Sequence, residues 1–158
     1  KGRSIYFDFF DPKWPHIQYL YWPAALSKSL LVHMLAGWLA IVTTGIAITV
    51  IGGVVSPRKD RGKYWPAIGG CLYIVFAPLM PGGNIGHLEV YANLFTAAGL
   101  AALALGISIQ KSTGKGLLEI AGAIAIGFGA GIRPNLLIPI VICLTLLLGL
   151  KNRLRIDR

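Results

Sequence analysis

The chain contains an unbroken apolar run from Leu30 to Val55 that includes no Asp, Glu, Lys or Arg. A helix of this length extends about 39 Å, which exceeds the ~30 Å hydrocarbon core of a bilayer. Backbone polar groups inside a bilayer must be paired within the segment, and a helix does this. The run therefore predicts a tilted membrane-spanning helix.

The composition and the distribution of charge support a membrane protein. Of 158 residues, 55% are hydrophobic and 13% are charged, and the mean hydropathy is +0.67. The 15 Lys and Arg residues outnumber the 6 Asp and Glu residues, but they form short clusters between apolar runs. This pattern indicates membrane orientation rather than a nucleic-acid-binding surface. It predicts an integral, multi-pass protein of the bacterial inner membrane or an equivalent membrane, with membrane lipids and no nucleic acid as partners.

Further apolar runs predict helices over Tyr64–Met80 and Val90–Ile109. The last run, from Leu117 to Leu150, can be one kinked helix or two helices broken at "RPN". Two are favoured, because Arg133 and Pro134 disfavour an uninterrupted lipid-facing helix. Two crossings also return the basic tail to the side that holds the other basic loops.

The two helices of this last region are predicted to be short, over Leu117–Ile132 and Leu136–Leu150. Each would extend only about 24 Å. The turn at Arg133 is therefore expected to lie below the outer membrane surface, where it would form the floor of a pocket.

These expectations define an all-α, polytopic membrane helix bundle with about five membrane-embedded helices in a single domain, 1–158. Residues 1–29 form an extracytoplasmic loop with an interfacial helix, 30–150 the membrane helices, and 151–158 a basic cytoplasmic tail. The first segment contains "YFDFFDPKWP" and further aromatic residues that suit a membrane interface. The sequence begins with Lys1 rather than Met, and an upstream helix would be needed to carry Lys1 to the outer face, so we expect the chain to be part of a longer protein.

Three polar residues stand out against the apolar background. Arg133 is always charged and is costly in a membrane unless it meets an anion, which can be a structural carboxylate or a lipid phosphate. Lys13, between two prolines, is either a solvated lysine or a phosphate contact. Glu89 opens a helix, where it can cap the helix or act as a base toward an incoming hydroxyl.

Two further patterns leave alternatives open. His16 and His87 could bind a divalent metal together with Glu89, although their spacing does not place two of them on one helical face. Apart from this divalent metal, which is left open as an alternative, no cofactor can be assigned from the sequence. In the glycine-rich segment "AGAIAIGFGAGI", Ala123, Gly127 and Gly131 recur at four-residue spacing, which predicts a helix-packing face of small residues.

The ordered set of motifs resembles the GT-C superfamily of integral-membrane glycosyltransferases. The segment "GRSIYFDFFDPKWP" is similar to the first extracytoplasmic loop of the protein O-mannosyltransferases and of the lipid A aminoarabinose transferase. The later segments "GHLEVYANLF" and "AGAIAIGFGAGIRPNLLIPI" follow in the same order as in that family. The resemblance covers the front half of such an enzyme.

This resemblance implies transfer of a sugar from a polyprenyl-phosphate donor at the outer membrane face. Lys13 and Arg133 match the basic positions near the lipid phosphate, and Glu89 matches the acid of the second loop. Asp8 and Asp11 match acidic positions of the first loop, where they are either catalytic or hold the loop through turn-type hydrogen bonds. The family's first catalytic acid lies upstream of these motifs, before the first residue of this sequence.

Two functions remain open at this point. The first is a glycosyltransferase that uses a polyprenyl-phosphate-linked sugar. The alternative is a shortened, non-catalytic membrane subunit that docks in a larger integral membrane complex through its small-residue helix faces.

Overall fold

The computed structural model describes residues 26–56, 64–79, 88–109 and 113–156, and every regular element within these ranges is a helix. The α-helices are α1 (Leu30–Val55), α2 (Trp65–Phe76), α3 (Leu88–Ser108), α4 (Thr113–Ile132) and α5 (Leu137–Ile156). A 3-10 turn, Ala77–Leu79, extends α2, and another, Pro134–Leu136, joins α4 to α5. The all-α prediction is confirmed for the described residues. The predicted interfacial helix of the first segment lies outside them.

Several predicted helix boundaries are confirmed. Helix α1 begins and ends at the predicted residues. Helix α2 carries Pro66 in its first turn, where the missing N–H of a proline costs no helical hydrogen bond. The break at "RPN" is present, because Arg133 has an extended backbone (φ −140°, ψ 92°), and the residue before a proline disfavours helical geometry.

The predicted lengths of the last two helices were wrong. Helices α4 and α5 each contain 20 residues, and α4 alone would extend about 30 Å. Apolar runs alone predict shorter helices, but backbone hydrogen bonding continues through Gly114, Lys115 and Gly116 and through the basic segment as far as Ile156. Helices of this length do not require the Arg133 turn to lie below the membrane surface.

In the described part of the chain, three helices are long and apolar enough to cross a membrane, namely Leu30–Val55, Glu89–Ser108 and Gly114–Ile132. The apolar helices Trp65–Leu79 and Pro134–Gly149 are shorter. Large apolar side chains such as Leu39, Ile124 and Leu146 are exposed, as expected for lipid-facing surfaces. The chain is a membrane protein by these criteria.

Small side chains occupy several of the buried positions of the bundle. Ala40, Ala92 and Ala104 are almost completely inaccessible. Helices in lipid gain little from burying large apolar groups, so close backbone approach at small residues stabilises their packing instead.

Helices that follow one another in the chain run antiparallel, as the contacts of Gly99 with Gly122 and of Gly106 with Glu119 show for α3 and α4. One buried cluster joins Ile41 of α1, Val90 of α3 and Ile132 of α4. A second cluster joins Leu100 of α3 and Leu147 of α5, with the end of α1 packed against it. We call the end with the first residues of α3 and the last residues of α4 the Glu89 end, and the opposite end, where α5 finishes, the basic end.

Helices α3 and α4 pack through glycines, but not through the predicted ones. A Cβ atom on Gly122 would lie 2.8 Å from the carbonyl oxygen of Gly99, and one on Gly129 would lie 3.0 Å from that of Ala92. Gly127 instead faces open space. The predicted packing face of Ala123, Gly127 and Gly131 is therefore not the contact with α3, and its packing against a helix outside this chain stays a prediction.

The true contact face of α4 is rotated by one residue from the predicted one, which is about 100° around the helix. Gly122 and Gly129 are seven residues apart, and Ile126 between them is buried. The sequence offered two glycine and alanine series on adjacent faces of the same helix. Only the position of α3 selects between them.

Candidate functional site

Arg133 stands at the corner between α4 and α5, and its backbone is held on both sides. Its N–H donates to the carbonyl of Gly129 (3.0 Å), which closes the last turn of α4. Its carbonyl accepts a hydrogen bond from the N–H of Leu136 (3.0 Å), which closes the following 3-10 turn. The side chain therefore projects from a defined corner at the Glu89 end.

Glu89 lies in the first turn of α3. The partial positive charge of a helix N-terminus favours a carboxylate at this position. Its side chain is 24% exposed, and the next residue, Val90, is fully buried in the adjoining apolar cluster. The carboxylate is thus held at the margin between the packed bundle and its surface.

The structure brings these two side chains together. Nη1 of Arg133 lies 3.6 Å from Oε1 of Glu89, and the arginine side chain is 44% exposed. This separation is that of an ion pair rather than of a short hydrogen bond, which has an N to O distance of about 2.9 Å. A guanidinium carries five N–H donors, so the contact through Nη1 leaves other N–H groups that can bind a second anion on the exposed side.

A second polar contact lies on the same face of α3. Nδ2 of Asn93 donates to Oη of Tyr73 on α2 at 3.3 Å. Asn93 follows Glu89 by four residues, so the two share one face of the helix. Helices α2, α3 and α4 therefore each contribute a polar side chain toward the Glu89 end.

Sequence reasoning missed Tyr73 and Asn93. An available signal was the amide of Asn93 within an apolar helix, one turn after Glu89, because such groups in membrane helices tend to bond across helices. Tyr73 carried no comparable signal, since aromatic residues are common in apolar runs.

The remaining predicted site residues lie outside the described part of the chain. They are Asp8, Asp11, Lys13, His16 and His87. Within the described ranges, no group of three or more His, Cys, Asp or Glu side chains could hold a metal ion. The metal alternative, which depended on His16 and His87, stays a prediction.

Glu119, the acidic residue on α4, does not pair with Arg133. Its carboxylate lies 3.9 Å from Nζ of Lys115, one turn away on the same helix and near the basic end. Arg133 therefore takes its carboxylate partner from another helix. The Glu89 and Arg133 pair joins the first turn of α3 to the end of α4, and it can serve either as a structural link or as a charged site at a membrane surface.

A scan against protein-family models finds no match, and searches of the curated proteins and of the solved structures find no similar protein.

Proposed function

We propose that this chain is the front part of a membrane glycosyltransferase that takes a sugar from a polyprenyl-phosphate donor at the extracytoplasmic face. The observation that carries the proposal is the contact between Arg133 and Glu89 at one end of an apolar bundle. It combines a permanent cation with a carboxylate, and these are the two groups that the reaction requires.

Arg133 is the group proposed to hold the phosphate. Its side chain is 44% exposed although it belongs to a bundle with few charges. An exposed guanidinium matches the planar geometry of phosphate oxygens and can bind them through paired N–H donors. Lys13, which the resemblance places near the same phosphate, is predicted to supply a second cation.

Glu89 is the group proposed to accept the acceptor's proton. An acceptor hydroxyl attacks the anomeric carbon of the donor sugar, and its proton passes to the carboxylate. The bond between that carbon and the phosphate oxygen breaks, and the oxygen leaves with the electron pair. Repulsion between phosphate and carboxylate requires the phosphate to bind on the side of the guanidinium away from Glu89. Asp8 and Asp11 remain predicted acids of the first loop.

The proposal includes an orientation in the membrane of a bacterial cell. All five helices are embedded, the Glu89 end faces outward, and the basic end faces the cytoplasm. Lys115 begins α4 and the residues Lys151, Arg153 and Arg155 end α5, so these basic positions belong to one end of the bundle. An excess of Lys and Arg is typical of the cytoplasmic side.

Cysteine labelling tests this orientation. In a variant whose native Cys71 and Cys143 are replaced by alanine, Lys59→Cys should resist a membrane-impermeant maleimide in intact cells and react after permeabilisation. Lys28→Cys, at an exposed position just before α1, is the matched control and should react in intact cells. Labelling of Lys59→Cys from outside would contradict the proposed orientation.

Lipid binding tests the proposed function itself. Purified protein should retain polyprenyl phosphate in preference to the uncharged polyprenol of equal chain length, because only the phosphate can pair with Arg133. Native mass spectrometry with an equimolar mixture of the two measures the preference. Equal retention would show that the chain recognises the hydrocarbon alone and would remove the basis of the proposal.

One observation favours the alternative of a non-catalytic subunit. The face of α4 that carries Ala123 and Gly127 is exposed in the structure, and a Cβ atom on Gly127 would meet nothing within 4 Å. Small-residue faces in membranes allow close contact with another helix. In this case the Glu89 and Arg133 pair would be a structural link, and lipid phosphate would not be preferred.

A further inference from the structure

An apolar groove of about 640 Å³ lies between α1, α3 and α5, away from the Glu89 and Arg133 pair. Its volume is within the range of about 300–1,000 Å³ that is usual for small-ligand pockets. The lining residues are Ile51, Val55, Leu100, Cys143, Thr145, Leu146, Leu147 and Gly149. They come from the last two turns of α1 and the middle parts of α3 and α5, and the end of α1 places the groove toward the basic end.

The lining suits a hydrocarbon chain. Thr145 is the one lining residue with a hydroxyl, and its Oγ1 donates to the carbonyl of Val141 at 2.9 Å. This hydrogen bond satisfies the hydroxyl within α5, so the groove offers apolar surface with the weakly polar thiol of Cys143. A strongly polar ligand would find few hydrogen-bond partners there.

The sequence immediately beyond the groove supplies positive charge. Helix α5 continues past Gly149 as far as Ile156, and Lys151, Arg153 and Arg155 occur within this extension. The sequence contains no Asp or Glu between Glu119 and Asp157, so nothing along α5 offsets these cations. Basic residues at a helix end near the membrane surface attract anionic lipid headgroups.

From this combination we propose a binding site for an anionic glycerophospholipid of the leaflet at the basic end. One acyl chain occupies the groove between α1 and α5, and the phosphate meets the basic extension of α5. The site is separate from the proposed phosphate site at Arg133, and it stands whether or not the chain is a glycosyltransferase. Charge selects this occupant over a neutral lipid or an apolar helix.

A substitution that fills the groove tests the proposal. Gly149 and Gly127 both face open space, since a Cβ atom on either would meet nothing within 4 Å, but only Gly149 lines the groove. Gly149→Trp should reduce the phosphatidylglycerol retained by the purified protein by about tenfold, the size expected when a well-matched apolar chain is displaced. Gly127→Trp is the matched control and should retain as much as the wild type.

Removal of charge tests the contribution of the lipid headgroup separately from that of the acyl chain. In native mass spectrometry with equal amounts of phosphatidylglycerol and phosphatidylcholine, the wild type should prefer phosphatidylglycerol. Lys151→Gln and Arg153→Gln should each lower that preference by about fivefold, which corresponds to roughly 1 kcal/mol for each basic residue near a membrane surface. Circular dichroism and gel filtration of every variant measure whether helicity and oligomeric state are retained.

Three results would overturn the proposal. Equal retention of the two lipids by the wild type would show an apolar surface without headgroup selectivity. Unchanged phosphatidylglycerol in Gly149→Trp would place the lipid elsewhere. Dissociation of an oligomer in Gly149→Trp, without loss of lipid, would identify a second copy of the chain as the occupant.

Discussion

Arg133→Ala is expected to reduce sugar transfer by the full-length protein by about 10²–10³-fold, which corresponds to roughly 2.7–4 kcal/mol in the barrier. The leaving phosphate gains negative charge as its bond to the sugar breaks, and a positioned guanidinium stabilises that charge. Arg133→Lys should retain part of the activity, because it keeps the charge and loses the paired donors. Transfer of radiolabelled sugar from a polyprenyl-phosphate donor in membrane vesicles measures the effect.

Lys115→Ala is the matched control for this experiment. It also removes a cation that pairs with a glutamate, at 3.9 Å from Glu119, but Lys115 begins α4 and therefore lies at the opposite end from Arg133. Transfer should change by less than about twofold, because a partly exposed pair contributes at most about 1 kcal/mol to stability. Full activity in Arg133→Ala, with the protein folded, would exclude Arg133 from the phosphate site.

Glu89 variants then distinguish a catalytic carboxylate from a structural one. Glu89→Gln keeps the shape of the side chain and removes its basicity. If Glu89 accepts the proton, transfer falls while polyprenyl phosphate binding is retained or strengthened, because the neighbouring negative charge is gone. If the pair is only a link between α3 and α4, Glu89→Gln and Arg133→Ala should each lower stability and leave lipid retention unchanged.

Gly122→Leu is expected to destabilise the contact between α3 and α4 by about 3 kcal/mol, near the upper range for overpacking a close interface. A Cβ atom at Gly122 would lie 2.8 Å from the carbonyl oxygen of Gly99 and 2.9 Å from Cγ of Leu103. The leucine side chain can move, but the carbonyl of Gly99 belongs to the backbone of α3 and cannot yield without separating the helices.

Gly127→Leu is the control, since it makes the same substitution on the same helix at a position that faces open space. It should change stability by less than about 0.5 kcal/mol. The free energy of unfolding in mixed micelles of sodium dodecyl sulfate, followed by circular dichroism, gives both values. Equal destabilisation by the two substitutions would mean that α4 does not meet α3 through Gly122.

This glycine contact bears on the site as well as on stability. Glu89 begins α3 and Arg133 follows α4, so their separation of 3.6 Å depends on how closely and in what register the two helices pack. Gly122→Leu should therefore weaken the proposed phosphate binding without altering either charged residue. Retained preference for polyprenyl phosphate in this variant would show that Arg133 binds independently of its partner.

Much of the helical pattern could be predicted from apolar runs and helix-breaking residues. The bounds of α1 follow from an uninterrupted run that ends at "SPRKDR", and the break before Pro134 follows from the restricted backbone of the residue that precedes a proline. The extensions of α4 and α5 could not be predicted in the same way, because helical hydrogen bonds continue into polar residues for as long as the backbone allows.

Arg133 and Glu89 could likewise be identified as exceptional residues, since charge in an apolar chain is costly and has to be compensated. Their contact could not be derived, because residues 89 and 133 are 44 positions apart in the chain and the sequence left open whether Arg133 meets a carboxylate or a phosphate. The hydrogen bond between Tyr73 and Asn93 could not be predicted either, because the amide of Asn93 indicated a contact across helices but nothing in the sequence indicated Tyr73 as its partner.

By itself, the sequence determined that this protein is a helical membrane protein whose helices break at Arg133, because the hydrocarbon core requires long apolar segments with internally paired backbones. The tertiary structure decided which glycines of α4 meet α3 and which carboxylate meets Arg133. Adjacent faces of one helix carry nearly the same small residues, so their local preferences are equal. Only the packing of α3 against α4 distinguishes one face from the other, because the two backbones approach so closely that a Cβ atom would not fit between them.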